Sequence, residues 1–351
     1  MKILVLPGDG IGPEITDATL AVLDRANTKY KLGLEWQSEE IGVVALKKRG
    51  STLPEEVMQT ARNAPGIILG PVDHLQYPPR EKGGINPSGE FRVKLDLFAN
   101  IRPAKSRMGM GLTGKPVDLV IFRECTEGFY ADRNMYMGTG EFMPTPDVAL
   151  SVRKVTARQC ERIARVAFQS AVKRRRKVTA VHKQNVLRIS DALFLNEVRK
   201  VAKEFPDVQL DEKIVDAMAA LLVRDPSQFD CIVTGNMFGD ILSDEASEIS
   251  GSLGLAGSVM AGDNACCAQA QHGSAPDIAG EGIANPTSLI LSAVMLLEWL
   301  AQRHGRSEFQ DAATAIEATV DRALQSPATR TRDLGGALGT EAFAKLIAQD
   351  I

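Results

Sequence analysis

Short apolar runs alternate with longer amphipathic stretches along the chain. The runs 3–6, 66–69, 119–122, 178–181 and 231–234 are apolar, are bounded by glycine, proline or charged residues, and predict short buried strands. Apolar residues recurring every three or four positions predict helices after Pro13, before Asn63, and over 156–174, 190–204, 217–223, 286–302 and 311–325. Such alternation implies an α/β protein with a largely parallel sheet. The Pro- and Gly-rich stretches 71–89 and 107–115 read as loops or hinges, and no internal repeat or low-complexity tract interrupts the pattern.

Composition narrows the class. With 351 residues the chain is long enough for two domains, and 44% hydrophobic with 24% charged residues is ordinary for a globular protein. Its 41 basic and 44 acidic residues give a net charge of −3, which offers no bulk attraction to nucleic acid or to an anionic membrane. Five cysteines without Cys-x-x-Cys spacing suggest neither a disulfide framework nor a zinc site, so a reducing cytoplasm is expected. The N-terminus enters a strand pattern directly, so no secretory leader is expected, and the apolar helix around 289–300 is too short to span a bilayer and carries Glu298. The basic run 173–177 reads as a solvated helix end.

Three places carry candidate chemistry. In Gly235-Asn236-Met237-Phe238-Gly239-Asp240-Ile241-Leu242-Ser243-Asp244, a helix would stack Asp240 and Asp244 on one face. Converging carboxylates repel unless a cation or proton lies between them, and their hard oxygens suit Mg²⁺ or Mn²⁺; a solvated helix face is the plainer alternative. Arg92, Arg102 and Arg123 sit near strand ends or a proline turn, stiffly enough for bidentate capture of carboxylates, or else form surface ion pairs. The loop Pro7-Gly8-Asp9-Gly10-Ile11-Gly12-Pro13 has G-x-G-x-G spacing and not G-x-G-x-x-G, so it reads either as a tight strand-to-helix turn or as a phosphate cradle.

Six motifs, in order, then carry a resemblance that spans essentially the whole chain. Gly8 to Glu14, Leu97-Phe98-Ala99-Asn100-Ile101-Arg102-Pro103, Arg123-Glu124, Val215-Asp216-Ala217-Met218-Ala219, Gly235 to Asp244 and His272-Gly273-Ser274-Ala275-Pro276-Asp277-Ile278-Ala279-Gly280 resemble those of the β-decarboxylating dehydrogenases. That family includes isopropylmalate, isocitrate, homoisocitrate and tartrate/malate dehydrogenases. The resemblance implies a two-domain isopropylmalate/isocitrate dehydrogenase-like fold with a shared mixed sheet. Residues 1–98 with 251–351 would form a cofactor-binding domain, and 99–250 a metal- and substrate-binding, dimerisation domain, with the active site in the cleft between them.

It also implies roles. Arg92, Arg102 and Arg123 would bind the carboxylates of a small hydroxy-acid substrate. Asp240 and Asp244, with Asp216 of the partner subunit, would hold Mg²⁺ or Mn²⁺. Lys183 would assist deprotonation of the hydroxyl across a homodimer interface, and Tyr130 would protonate the enol left by CO₂. His272, Gly273, Ser274, Ala275, Asp277 and Asn285 would bind the cofactor's adenosine, and Asp277 would favour NAD by repelling a 2′-phosphate.

Departures gather around the substrate's variable group. Where isopropylmalate enzymes place a Glu and two Leu, this chain has Ile85, Ser88 and Gly89, with Asn86 between; Gln269 stands where many relatives carry a glutamate, near the nicotinamide side of the cleft. A smaller, more polar slot for the C3 substituent is therefore expected, with Ser88 among the substrate-binding residues. The altered pocket also leaves open a noncatalytic regulatory subunit of a hetero-oligomer, although the arginines, aspartates, Lys183 and Tyr130 are all retained.

Overall fold

The computed structural model describes every residue except 108, 110 and 131–133, so part of the expected loop 107–115 lies outside the described residues. The chain divides into two compact units, Met1–Leu95 with Leu253–Ile351, and Asp96–Ser252. These divisions differ by two or three residues from the expected junctions at 98/99 and 250/251. The first follows the helix Pro87–Lys94, where the chain turns through Asp96 at a positive φ of 51°.

In the unit containing both termini, the strands run in the order Glu35–Ser38, Lys2–Leu6, Gly66–Leu69, Cys266–Gln269, Val259–Ala261. All neighbouring pairs are parallel except the last. Gly66–Leu69 is buried along its whole length, and the helix Thr287–His304 packs against it and against Cys266–Gln269. This explains why these strands read as unbroken apolar runs. The helix Gly12–Tyr30 carries proline in its first turn, where no N–H is needed, and packs on Thr340–Asp350.

The glycines before it serve close backbone approach. A Cβ on Gly10, at φ +57°, would lie 2.0 Å from the carbonyl oxygen of Ser274, and one on Gly8 would lie 2.2 Å from that of Pro71. The loop is thus held as a tight turn against Pro71 and the 272–280 segment, by Asp9 N–H to Pro71 O (2.8 Å) and Ile11 N–H to Ser274 O (2.9 Å).

The second unit has strands in the order Ala99–Lys105, Asp118–Glu124, Cys231–Thr234, Lys177–His182, Gln209–Ile214, the first pair antiparallel and the rest parallel. Period-two alternation sorts its side chains. Val120 and Phe122 join one core, under the helices Ala157–Val172 and Ser190–Ala202. Leu119 and Ile121 join the other, under Val215–Arg224 and Asn236–Ser250. A separate hairpin, Glu141–Thr145 with Val148–Ser151, is exposed throughout.

Two expectations need correction. The stretch 71–89 is not all loop, because the helix Pro87–Lys94 begins within it, capped by the Asn86 side chain, which accepts from Gly89 N–H at 3.3 Å. Nor is the basic run 173–177 simply solvated. Arg174 Nε donates to Asp230 Oδ1 (2.8 Å) and its Nη2 to Asp118 Oδ1 (2.7 Å), while Arg175 N–H meets Asp230 Oδ2 (2.9 Å). Asp230 is buried at a strand entrance, and a buried carboxylate demands such partners. Among the described residues, no helix is long and apolar enough to cross a membrane.

Candidate active site

In the second unit two strands, one helix and the segment that carries Tyr130 bring five of the expected residues together. Arg102 lies on Ala99–Lys105 and Arg123 near the end of Asp118–Glu124, while Asp240 and Asp244 are one turn apart on Asn236–Ser250. The helix can approach because residue 239 is glycine: a Cβ there would stand 2.7 Å from that of Arg123.

Arg123, 1% exposed, donates from Nε and Nη2 to Asn236 Oδ1 (2.9 and 2.6 Å) and from Nη1 to Asp240 Oδ1. The Tyr130 hydroxyl donates to the other oxygen of Asp240, and its ring lies 5.3 Å from the Arg123 guanidinium carbon. Arg102 Nη1 stands 3.2 Å from Asp240 Oδ1, 3.2 Å from Asp244 Oδ1 and 2.7 Å from Ser243 Oγ.

Asp240 and Asp244 therefore do face one spot. The positive charge there is the Arg102 guanidinium, so mutual repulsion of the carboxylates does not by itself call for a metal. Their hard oxygens, converging on one cationic atom, nevertheless fit Mg²⁺ or Mn²⁺. Among the described residues, no three His, Cys, Asp or Glu side chains of this one chain gather to hold a metal ion.

Asp216 instead pairs with Lys183, whose Nζ lies 2.5 Å from Asp216 Oδ1; that hydrogen bond lowers the carboxyl's pKa. The Lys183 backbone N–H is fixed at 2.5 Å by buried Asp191, itself paired with Arg153. Arg153 also lies 5.7 Å from the ring centre of Phe129 and 5.9 Å from that of Phe238, beside the segments that carry Tyr130 and Asp240.

Beneath this cluster, Glu124 and Glu127 are buried. Glu124 accepts from the N–H groups of Thr126 (2.8 Å) and Glu127 (3.1 Å), and burial pushes its carboxyl up to about 7. Glu127 accepts from Thr156 N–H (2.7 Å), and its carbonyl accepts from Asn236 Nδ2 (2.7 Å). Burial raises its carboxyl too.

The first unit carries a second set. Ser88 and Arg92 share one face of Pro87–Lys94. The Ser88 hydroxyl donates to Gln269 Oε1 (2.9 Å), and Arg92 Nε stands 3.0 Å from Met260 Sδ. On the 272–280 loop, Ala275 holds a left-handed φ of 37° before the turn Pro276–Ile278, and Asp277 is exposed. Gly273 is also exposed, with open space around the position of a Cβ, whereas Ser274 is buried. His272 Nδ1 lies 3.0 Å from Gly273 O, its Nε2 is enclosed without a partner among the described residues, and burial lowers its pKa. Asn285 Nδ2 donates to Asp333 Oδ2 (2.9 Å), while its oxygen caps Thr287 N–H (3.0 Å).

Asn236, Arg153, Asp191 and Met260 escaped the sequence reading. Asn236 alone left a signal, lying four residues before Asp240 on the same helix face.

Comparisons with known proteins bear on what this arrangement does. The family described as isocitrate/isopropylmalate dehydrogenase matches residues 2–347. The chain is 40% identical over 335 residues to 3-isopropylmalate dehydrogenase of Saccharolobus solfataricus, covering 95% of each. It is 41% identical over 352 residues to isocitrate/homoisocitrate dehydrogenase of Thermus thermophilus, covering 99% of this chain and 98% of that protein. The crystal structure of isocitrate dehydrogenase from Methylococcus capsulatus superposes with a TM-score of 0.87 at 37% identity, covering 99% of this chain and 98% of the other. The chain therefore belongs to the isocitrate/isopropylmalate dehydrogenase family and is a β-decarboxylating dehydrogenase, an oxidoreductase that acts by oxidative decarboxylation of a small molecule.

Proposed function

We propose that the chain uses NAD and Mg²⁺ or Mn²⁺ to decarboxylate oxidatively a 2-hydroxy acid that bears a carboxylate on C3, with a polar or small C3 substituent favoured over isopropyl. The observation that carries this is the convergence of Arg102 and Arg123 with Asp240, Asp244 and Tyr130. Arg92, Arg102 and Arg123 would take the substrate's carboxylates. Asn236 anchors one edge of Arg123, which pre-orients the guanidinium fork for a planar anion.

Asp240 and Asp244, with Asp216 of the partner subunit, would hold the divalent cation, which supplies a Lewis acid at the substrate's 2-oxygen. Lys183 would receive the hydroxyl proton as C2 gives up its hydride, for which NAD is the acceptor. After the bond from C3 to its carboxylate breaks and CO₂ leaves, Tyr130 would return a proton to C3 of the enol. Asp240, bonded to the Tyr130 hydroxyl, would orient that donor.

For the cofactor, the exposed carboxylate of Asp277 would accept from ribose hydroxyls and repel a 2′-phosphate. The His272 ring, with Gly273, Ser274, Ala275 and Asn285, would surround the adenosine. A homodimer is supported by apolar side chains that one copy leaves exposed in the second unit, among them Ile189, Ile241, Val186 and Phe142. Five free cysteines agree with a reducing, cytoplasmic setting.

The test is kcat/KM for isopropylmalate, isocitrate, homoisocitrate, tartrate and malate with NAD⁺ or NADP⁺ and Mn²⁺. A clear preference for isopropylmalate would overturn the substrate assignment, and equal or better use of NADP⁺ the cofactor assignment.

A further inference from the structure

Ser88 and Arg92, four residues apart, stand on one face of Pro87–Lys94. Both touch Met260, whose sulfur lies 3.7 Å from Ser88 Oγ and 3.0 Å from Arg92 Nε. Ser88 is 7% exposed, and its single hydroxyl hydrogen is committed to Gln269 Oε1 at 2.9 Å. Asn86, the other polar side chain of this segment, places its oxygen on Gly89 N–H as a helix cap.

Gln269 is fixed from several sides. Its N–H donates to Ser258 O (3.1 Å), its carbonyl accepts from Ser292 Oγ (3.1 Å), and its side-chain oxygen accepts from Ser88. Its amide nitrogen makes no hydrogen bond among the described residues and is not enclosed. The surface shared with Arg92 thus offers a neutral N–H donor beside a thioether. A glutamate in the same place would offer only acceptors and a negative charge.

We propose that Gln269 determines substrate specificity by donating to a hydrogen-bond acceptor on the C3 substituent, a carboxylate, carbonyl or hydroxyl, and that Ser88 is the positioning residue that turns the amide to do so. This rests on the reaction class proposed above. An alkyl branch pressed on the amide would strip it of water and give no acceptor in return, which selects against the branch.

The experiment compares the purified wild type with Gln269→Glu and Gln269→Met. The substrates are two 2-hydroxy-3-carboxy acids that differ only in a carboxymethyl or an isopropyl group at C3, assayed with NAD⁺ and Mn²⁺. Glutamate preserves an acceptor for Ser88 while it removes the donor and adds a negative charge, so the backbone fixtures survive; circular dichroism confirms folding.

Wild type should favour the carboxymethyl substrate by at least about tenfold in kcat/KM. Gln269→Glu should lower that ratio by at least about tenfold, chiefly through substrate KM and with KM for NAD⁺ unchanged; Gln269→Met should lower it less, because it adds no opposing charge. Wild-type turnover with a ratio that neither variant moves, or a loss confined to NAD⁺ affinity, overturns the role of Gln269 alone. Failure of wild type to turn over either acid overturns this inference, whereas inactivity across the whole panel of hydroxy acids overturns the substrate reading on which it rests.

Discussion

Asn236 Oδ1 accepts two hydrogen bonds from the Arg123 guanidinium, at 2.9 Å from Nε and 2.6 Å from Nη2. Because the amide's nitrogen donates to the Glu127 carbonyl at 2.7 Å, the orientation of the side chain is fixed. Removing it would leave a buried charge with fewer partners and a buried carbonyl with none from that side chain. Asn236→Ala should therefore cost about 2–4 kcal/mol of stability in denaturant titration and raise substrate KM at least about tenfold. Stability and KM within error of wild type would show that Arg123 is held by other means.

Asp240 balances Arg123, Arg102 and the Tyr130 hydroxyl. Asp240→Asn keeps the shape and removes the charge, so the chain should fold with a loss of about 1–3 kcal/mol while Mn²⁺ binding by calorimetry disappears. Deletion of the side chain should cost more, since it leaves the buried arginine uncompensated. Retained Mn²⁺ affinity in Asp240→Asn would remove Asp240 from the ligand set.

Lys183 and Tyr130 should fail at different steps. Lys183→Met should slow hydride transfer, seen as a full primary isotope effect with 2-deuterated substrate. Tyr130→Phe should leave hydride transfer intact and slow proton delivery to C3, seen as a loss of stereospecificity when turnover in D₂O places deuterium at that carbon. Each loss is expected on the order of 10²-fold in kcat. Near-wild-type turnover by both variants would contradict the assignments.

Burial raises Glu124 to about 7, so between its unfolded value near 4.5 and about 7 the folded chain holds a proton that the unfolded chain has released. Stability carried by this group is therefore greatest below the unfolded value and falls as pH rises toward 7, by on the order of 1–3 kcal/mol. Glu127 is raised as well and adds to the trend. Gln at position 124 turns an amide toward Glu127 N–H and lowers stability at every pH, but it should flatten the slope between about pH 5 and 7.5. An identical slope in wild type and Glu124→Gln would show that Glu124 titrates normally.

The strands that read as unbroken apolar runs were legible because they are buried on both faces, as with 66–69 and 231–234. Ala99–Lys105 was not. It carries Asn100, Arg102 and Pro103, so its site-forming side chains broke the pattern that announces a strand. The hairpin Glu141–Ser151 has no buried face and leaves no alternation to detect.

For the candidate site, spacing alone put Asp240 and Asp244 on one face, and the structure places both beside Arg102. What spacing could not give was the long-range pairing. Arg123 with Asn236 and Lys183 with Asp216 depend on which strand ends the topology brings together.

The central claim, metal-dependent oxidative decarboxylation, is tested most directly by following NADH and CO₂ in one reaction of the purified chain with a polar-substituted 2-hydroxy-3-carboxy acid. NADH and CO₂ should appear in equal amounts, cease in EDTA and return with Mn²⁺. NADH without CO₂, or turnover undiminished in EDTA, would contradict it.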